Sequence, residues 1–324
     1  MYFNMHTKKI VDPFNGLKDL KEGRIKATNK KTFVQDPLRV LRIMQLLPRK
    51  GKFVDKRTIK LCKSMVNSFD ELPKERVFEE FNKLLLKAKK PSMGLNFLKE
   101  SNWIKHFPEL SDLIGCPQNL KWHPEGDVWD HTCMVLDNAA LLRENLPKKL
   151  RLSYMYGALL HDIGKPATTD PVKLTAHGHD EAGVKLAENF MLRLTNEKKL
   201  ISNVCKIVKY HMRPGQLTFS KSKINAWKRL HNGLRLDLLG YMSKADSAGR
   251  TGRNVLTDTH NPSELLCFKY FKIFGVDKIK PLIMGRDLIK IGLKPSPLFK
   301  KLLKSAYNMQ LDGMNKEEIL NHLK

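Results

Sequence analysis

The chain has 324 residues, with 59 Lys and Arg against 33 Asp and Glu and a formal charge of +26 at pH 7, giving a pI of about 9.8. That length supplies two or three helical subdomains with cores of their own, and the surplus of cations predicts a polyanionic partner, because it concentrates phosphates at the surface. There is no run of about 18 apolar residues and no signal-peptide core in "MYFNMHTKKIVDPFNG", which argues against a membrane span or a secretory route. The five cysteines are dispersed with no CxxC pair and read as reduced thiols of a cytoplasmic protein.

In chain order, "KKIV" and "GRIKAT" in the first 28 residues predict extended strands, too short to form a sheet alone. "DPLRVLRIMQLL" (36–47) predicts a helix with Leu38, Leu41 and Leu46 near one face and Arg39 and Arg42 on another. "PKERVFEEFNKLLLKAK" (73–89) opens on Pro73, a helix-entry residue, and repeats apolar positions at three- and four-residue steps. Helical periodicity returns over 128–145, 150–161, 180–194, 197–211, 222–232, 236–246, 263–274 and 297–310. Pro, Gly and Asn breaks separate these segments at 115–126, 213–215 and 249–262. The expected fold class is all-α, with a short β remnant at the N-terminus and no internal repeat.

Six of the 11 histidines fall between 123 and 211. His131 lies in "WDHTCMV", His161 and Asp162 in "LLHDIGK", His177 and His179 in "AHGHDEAG", His211 in "VKYHMRPG", and Asp246 follows in "SKADSAGR". A single histidine on an apolar face is ordinarily a satisfied core residue. Several of them at predicted helix ends, with an adjacent His–Asp pair, predict that imidazoles and carboxylates converge inside a helical bundle on divalent ions. Imidazole suits borderline transition metals, Asp adds a hard oxygen able to bridge two ions, and Lys165 adds a point charge for a phosphate.

This order, H…HD…H…H…D, resembles the HD-superfamily metal-dependent phosphohydrolases. The resemblance implies His131, His161, Asp162 and Asp246 as core ligands, and His179 and His211 as the extra histidines of the two-metal forms. His123 and His177 match less closely and stay open between surface and supporting roles. The cofactor implied is one or two divalent ions: Mn, Ni, Co, Fe or Mg. Asp162 and Lys165 are the expected catalytic pair, and Lys165, Arg213 and Arg250 the expected phosphate-binding cations.

The flanking motifs resemble the bacterial tRNA nucleotidyltransferases, the CCA-adding and poly(A) polymerase superfamily. "IVDPFNGLKDL" (10–20) is similar to the segment closing their catalytic head. "QDPLRVLR" (35–42) is similar to the neck motif whose Asp and Arg template the incoming base, here Asp36 and Arg39. "LPKERVFEEFNKLL" (72–85) resembles a further neck segment, "HPEGDVWDHTCMVL" (123–136) and "HGHDEAGVKLA" (177–187) their HD body, and "MGRDLIKIGLKPSP" (284–297) with "YNMQLDG" (307–313) their tail. The implied division is a head remnant over 1–28, an RNA-binding neck over 29–118, an HD phosphohydrolase domain over 119–262 and a helical tail over 263–324. The sequence departs from that family in having no Asp-x-Asp pair and no Gly-Ser loop, the parts that would hold magnesium for nucleotidyl transfer. Gln35 and Met212 stand where relatives usually carry Glu and often carry Asp. The expectation is therefore a phosphohydrolase or phosphodiesterase acting on RNA or nucleotide phosphate esters, built on a body that binds tRNA. The alternative is the RNA-binding subunit of a split CCA-adding enzyme whose catalytic head is a separate chain.

Overall fold

The computed structural model describes residues 1–256 and 261–323. Strand structure among them is confined to two small sheets. β1 (Tyr2–Asn4) and β2 (Lys9–Val11) form an antiparallel ribbon with Tyr2 opposite Val11. β3 (Arg24–Ile25) pairs in parallel with β4 (Phe53–Val54), Arg24 opposite Phe53. "KIV" and "RI" are the strands expected from the first 28 residues; the partner of the second lies beyond them. Everything else is helical or irregular, and the chain is all-α as expected.

Contacts divide the chain into two units, Met1–Lys209 with Lys244–Thr259 and Tyr210–Ser243 with His260–Lys324. In the first unit, α1 (Gly16–Glu22) and α2 (Lys30–Phe33) lead into α3 (Leu38–Lys50) and α4 (Lys56–Ser64). α5 (Lys74–Lys87), α6 (Ser92–Glu100) and α7 (Pro108–Ser111) follow. α3 starts where Asp36 Oδ1 accepts the Leu38 N–H at 3.2 Å, and its face of Leu38, Leu41 and Met44 is buried against α5 and α6. Leu46 departs from the expectation. It stands five residues beyond Leu41, about 140° round the helix, and is exposed while Leu47 takes the inward place. Gly94 lets α6 lie directly on α3, since a Cβ there would sit 2.5 Å from the Met44 carbonyl.

The chain continues through α8 (Val128–Leu142), α9 (Lys148–Leu160), α10 (Lys165–Thr168), α11 (His179–Leu194) and α12 (Lys198–Tyr210). α8 packs on α9 and α9 on α5. Gly157 brings α9 close to α12, for a Cβ would meet the Ile207 side chain at 2.5 Å.

The second unit contains α13 (Arg213–Phe219) and α14 (Ile224–Gly233). The sequence read a break at 213–215, but "RPG" opens α13. Pro214 lies in its first turn, where the missing N–H costs no intrahelical bond and its fixed φ already suits a helix. α15 (Leu236–Ala248) carries the chain back to the first unit's residues. α16 (Pro262–Phe274) packs on α13 and α14, with Tyr270 stacked on Trp227 at 5.2 Å. α17 (Gly285–Lys290), α18 (Leu298–Leu311) and α19 (Lys316–Leu323) enclose a small core of Ile283, Leu288, Ala306 and Ile319. Among the described residues no helix is long and apolar enough to cross a membrane.

Candidate metal centre

Four helix ends meet in the first unit. Gly126 takes a left-handed φ of 73° and hands the chain to Asp127, whose carboxylate caps α8 by accepting the Trp129 and Asp130 N–H groups at 2.8 and 3.3 Å. His131 therefore sits on the first turn of α8, fully buried. α9 runs out at His161, and Pro166, in the first turn of α10, forces a new start immediately after "HDIG". Gly178, at φ 77°, places His179 as the first residue of α11. Asp246 belongs to the last turn of α15.

Asp162 is the centre of this arrangement. Its Oδ2 lies 3.7 Å from His131 Nε2, 3.2 Å from His161 Nε2 and 2.7 Å from Lys165 Nζ. Its Oδ1 faces the other way, 3.3 Å from His179 Nε2. Asp246 Oδ1 is 3.1 Å from His131 Nε2. His131, His161 and Asp246 each present a ligand atom within 4.8 Å of the others, a spacing that fits donors gathered about 2.0–2.2 Å from a common ion.

The second nitrogen of each ring shows which tautomer is held. Nδ1 of His131 lies 3.0 Å from the Gly249 carbonyl, Nδ1 of His161 2.9 Å from the Ala158 carbonyl, and Nδ1 of His179 2.6 Å from the Ala176 carbonyl. A carbonyl only accepts, so each Nδ1 carries the proton and, in the neutral ring, each Nε2 aims a lone pair at a carboxylate oxygen. Lone pairs facing carboxylates at 3.1–3.7 Å repel unless positive charge stands among them. A divalent cation, or protons in its place, meets that need. The pattern of carbonyl-anchored Nδ1 and inward Nε2 is the usual support of metal-binding histidine.

The electrostatics agree. Burial opposes ionisation of Asp162, but His161 and Lys165 outweigh it and hold the carboxyl well below the usual range. Burial likewise opposes the charge on Asp246, and His131 reverses the balance. Burial alone would lower the His131 imidazole; Asp246, Glu125 and Asp162 overcome it and carry the ring up to about 9. His179 is raised by Asp162 against its own burial.

The other expected residues are placed as follows. Lys165 is buried rather than directed into solvent, and donates to Asp162 and, at 2.6 Å, to Gln118 Oε1. Arg250 follows the Gly249 that anchors His131, and its Nε has no hydrogen-bond partner among the described residues. Arg213 is exposed in the second unit, donating to Gln216 Oε1 at 2.8 Å. His211 directly follows α12, also in the second unit. Asp36 and Arg39 are neighbours at 3.9 Å at the start of α3, where Arg39 also donates to the Thr32 carbonyl. Arg39, Lys26, Asn29 and Thr32 help to line a cleft of about 290 Å³.

Two buried contributors escaped the sequence reading. Glu125 Oε1 is 2.9 Å from Nδ1 of both His131 and His123. Those contacts overcome its burial and keep the carboxyl down at about 2. Burial, the Lys165 charge and His131 push His123 down to about 4. An acid inside the "HPEGD" turn ahead of His131 was the available signal for Glu125; Gln118 has no local signature.

Residues 128–249 match the HD domain family. Residues 53–114 match the family described as "Probable RNA and SrmB- binding site of polymerase A". With the histidine–aspartate centre inside the first match, the chain carries an HD domain beside a segment that matches the polymerase A family. More particularly, it is a homologue of the multifunctional CCA proteins. It is 35% identical over 227 residues to that of Neisseria meningitidis serogroup C, covering 68% of this chain and 52% of the relative. It is 34% identical over 257 residues to that of Aliivibrio salmonicida, covering 75% and 60%. The chain thus spans only 52% and 60% of these relatives' length. Its fold is similar to the Thermotoga maritima CCA-adding enzyme complexed with tRNA, with a TM-score of 0.55 and 19% identity over 96% of this chain and 66% of that one. It is also similar to a CCA-adding enzyme complexed with CTP, with a TM-score of 0.57 and 19% identity over 97% of this chain and 65% of that one.

Proposed function

We propose that the protein is a divalent-metal-dependent phosphohydrolase that acts on an RNA or nucleotide phosphate ester, a 2′,3′-cyclic phosphate or a phosphomonoester. The observation that carries the proposal is Asp162, whose two oxygens address different imidazoles while every anchored ring turns its Nε2 inward. In this reading His131, His161, Asp162 and Asp246 hold one ion. Asp162 Oδ1 and His179 serve a second, with His211 assigned by the resemblance of its motif alone. When bound, such ions lower the pKa of water and draw charge from a phosphate ester. Asp162 keeps its charge throughout, fixed between the two ligand groups. Lys165, held by Gln118, offsets the negative charge that develops on phosphorus oxygens, and Arg250 adds a second cation. The formal charge of +26 and the match of residues 53–114 support tRNA or another RNA as the partner, gripped through phosphates.

The test is hydrolysis of 2′,3′-cyclic nucleotides, p-nitrophenyl phosphate and tRNA ends with Mn, Co, Ni or Mg, comparing wild type with Asp162→Ala. Turnover should vanish in the variant while its circular dichroism stays native. Equal turnover in the two proteins removes the centre from the reaction.

A second reading is favoured by the cleft beside Arg39. It makes the chain the RNA-binding body of a split CCA-adding enzyme, with Asp36 and Arg39 templating a base for a head on another polypeptide. Nucleotide addition to tRNA after mixing with a head chain tests it, and lack of stimulation counts against it.

A further inference from the structure

The turn joining the two family-matched segments is closed on itself. Gly115 N–H donates to Asp127 Oδ2 at 2.7 Å, Gln118 N–H to the Gly126 carbonyl at 2.9 Å, and Val128 N–H to the Cys116 carbonyl at 3.0 Å. From this closed turn one carboxylate enters the interior. The Glu125 side chain is 1% exposed, and its Oε1 faces Nδ1 of His131 and of His123 at 2.9 Å each. Its Oε2 accepts the Thr251 N–H at 3.3 Å, on the turn that follows Asp246 and Gly249. Glu125 is outside the expected ligand set, yet His123, Glu125 and His131 each present a ligand atom within 4.8 Å of the others.

We propose that Glu125 is a positioning residue of the metal centre. Standing 2.9 Å behind His131 Nδ1, it sets a negative charge against the ring whose tautomer the Gly249 carbonyl holds, and through Thr251 it ties that ring to the segment carrying Asp246. It thereby sets the affinity of the site for a divalent ion. The proposal rests on the metal-binding reading above. An outer carboxylate on a ligand histidine is commonly worth about 10–100-fold in metal affinity. The Gly249 carbonyl, 3.0 Å from the same Nδ1, is a weaker acceptor that keeps the tautomer but not the negative charge behind it.

The experiment measures Mn²⁺ and Ni²⁺ binding to the full chain by titration calorimetry, with bound Mn²⁺ also followed by electron paramagnetic resonance. Wild type, Glu125→Ala, Glu125→Gln and Asn119→Ala are compared after thermal melting confirms folding. Glu125→Ala should bind about 10- to 100-fold more weakly, and Glu125→Gln, which retains an acceptor oxygen, should recover part of that loss. Asn119 lies on the same turn, where its Oδ1 accepts the Lys121 N–H at 3.0 Å, so Asn119→Ala should stay within a few-fold of wild type. Equal affinity in wild type and Glu125→Ala overturns the role of Glu125 and leaves the centre standing. An equal loss in Asn119→Ala shows a general effect of the turn and also overturns it. A wild-type chain that takes up neither ion overturns the centre and the positioning role together.

Discussion

Gly164→Ala is the most demanding test of how the centre is assembled. The backbone at Gly164 has φ −81°, open to any residue, so conformation is not the obstacle. Space is. An added Cβ would lie 2.0 Å from the His179 carbonyl oxygen, 2.7 Å from Gly183 N and 2.9 Å from His179 C, all of them backbone atoms. Gly183 completes the close approach, its own Cβ position lying 3.4 Å from Gly164 N. Relieving the overlap takes a retreat of about 1 Å by the first turn of α11, and overpacking of this kind costs about 1–3 kcal/mol. For a domain of this size that is a fall in Tm of roughly 2–12 °C. His179 heads the turn that must move, so its 3.3 Å approach to Asp162 opens. A displacement near 1 Å at a catalytic constellation can cost about 100-fold in rate. Thermal melting, Ni²⁺ calorimetry and turnover read the three consequences. Gly215→Ala is the control, since Gly215 is helical with nothing within 4 Å of its Cβ position, and it should be neutral or slightly stabilising. If Gly164→Ala melted, bound metal and turned over like wild type, the contact between α10 and α11 would not be what places His179.

Asn138 joins α8 to the chain leaving α15, donating to the Ala248 carbonyl at 3.1 Å and accepting from Val255 N–H at 3.0 Å. Asn138→Leu leaves both groups without that partner and should cost about 2–4 kcal/mol in a urea titration; an unchanged midpoint would show that water replaces it. Burial pushes the Cys62 thiol up to about 12 and those of Cys133 and Cys267 higher still, whereas Cys205 is only part-buried. Iodoacetamide at pH 8 should therefore label Cys205 first and the other three only on unfolding, as read by peptide mass spectrometry; early labelling of Cys62 would contradict that burial. His106 stacks on Phe69 at 4.3 Å, and burial lowers its imidazole. The unfolded chain thus takes up this proton first, so this contribution is constant above about pH 6.5 and is lost as the pH falls below it. His106→Phe should flatten the acid limb of stability against pH, and a limb unchanged in slope would exclude the contribution.

What the sequence determined by itself was local. The helix-period runs place α3, α5, α8, α9, α11 and α12 within a few residues, because amphipathic spacing and caps such as Asp127 act over one or two turns. The same locality put His131, His161 and His179 at helix ends and made the His161–Asp162 pair visible. Tertiary structure decided the rest, because those contacts join residues far apart in the chain. His131 meets Asp246 across 115 positions and Lys165 meets Gln118 across 47, and no period encodes such pairs. Only the packed centre shows that Asp162 divides its oxygens between imidazoles, that Lys165 turns inward and that Glu125 stands behind His131. Burial is a property of the assembled surface, and a single helix has no means of specifying it.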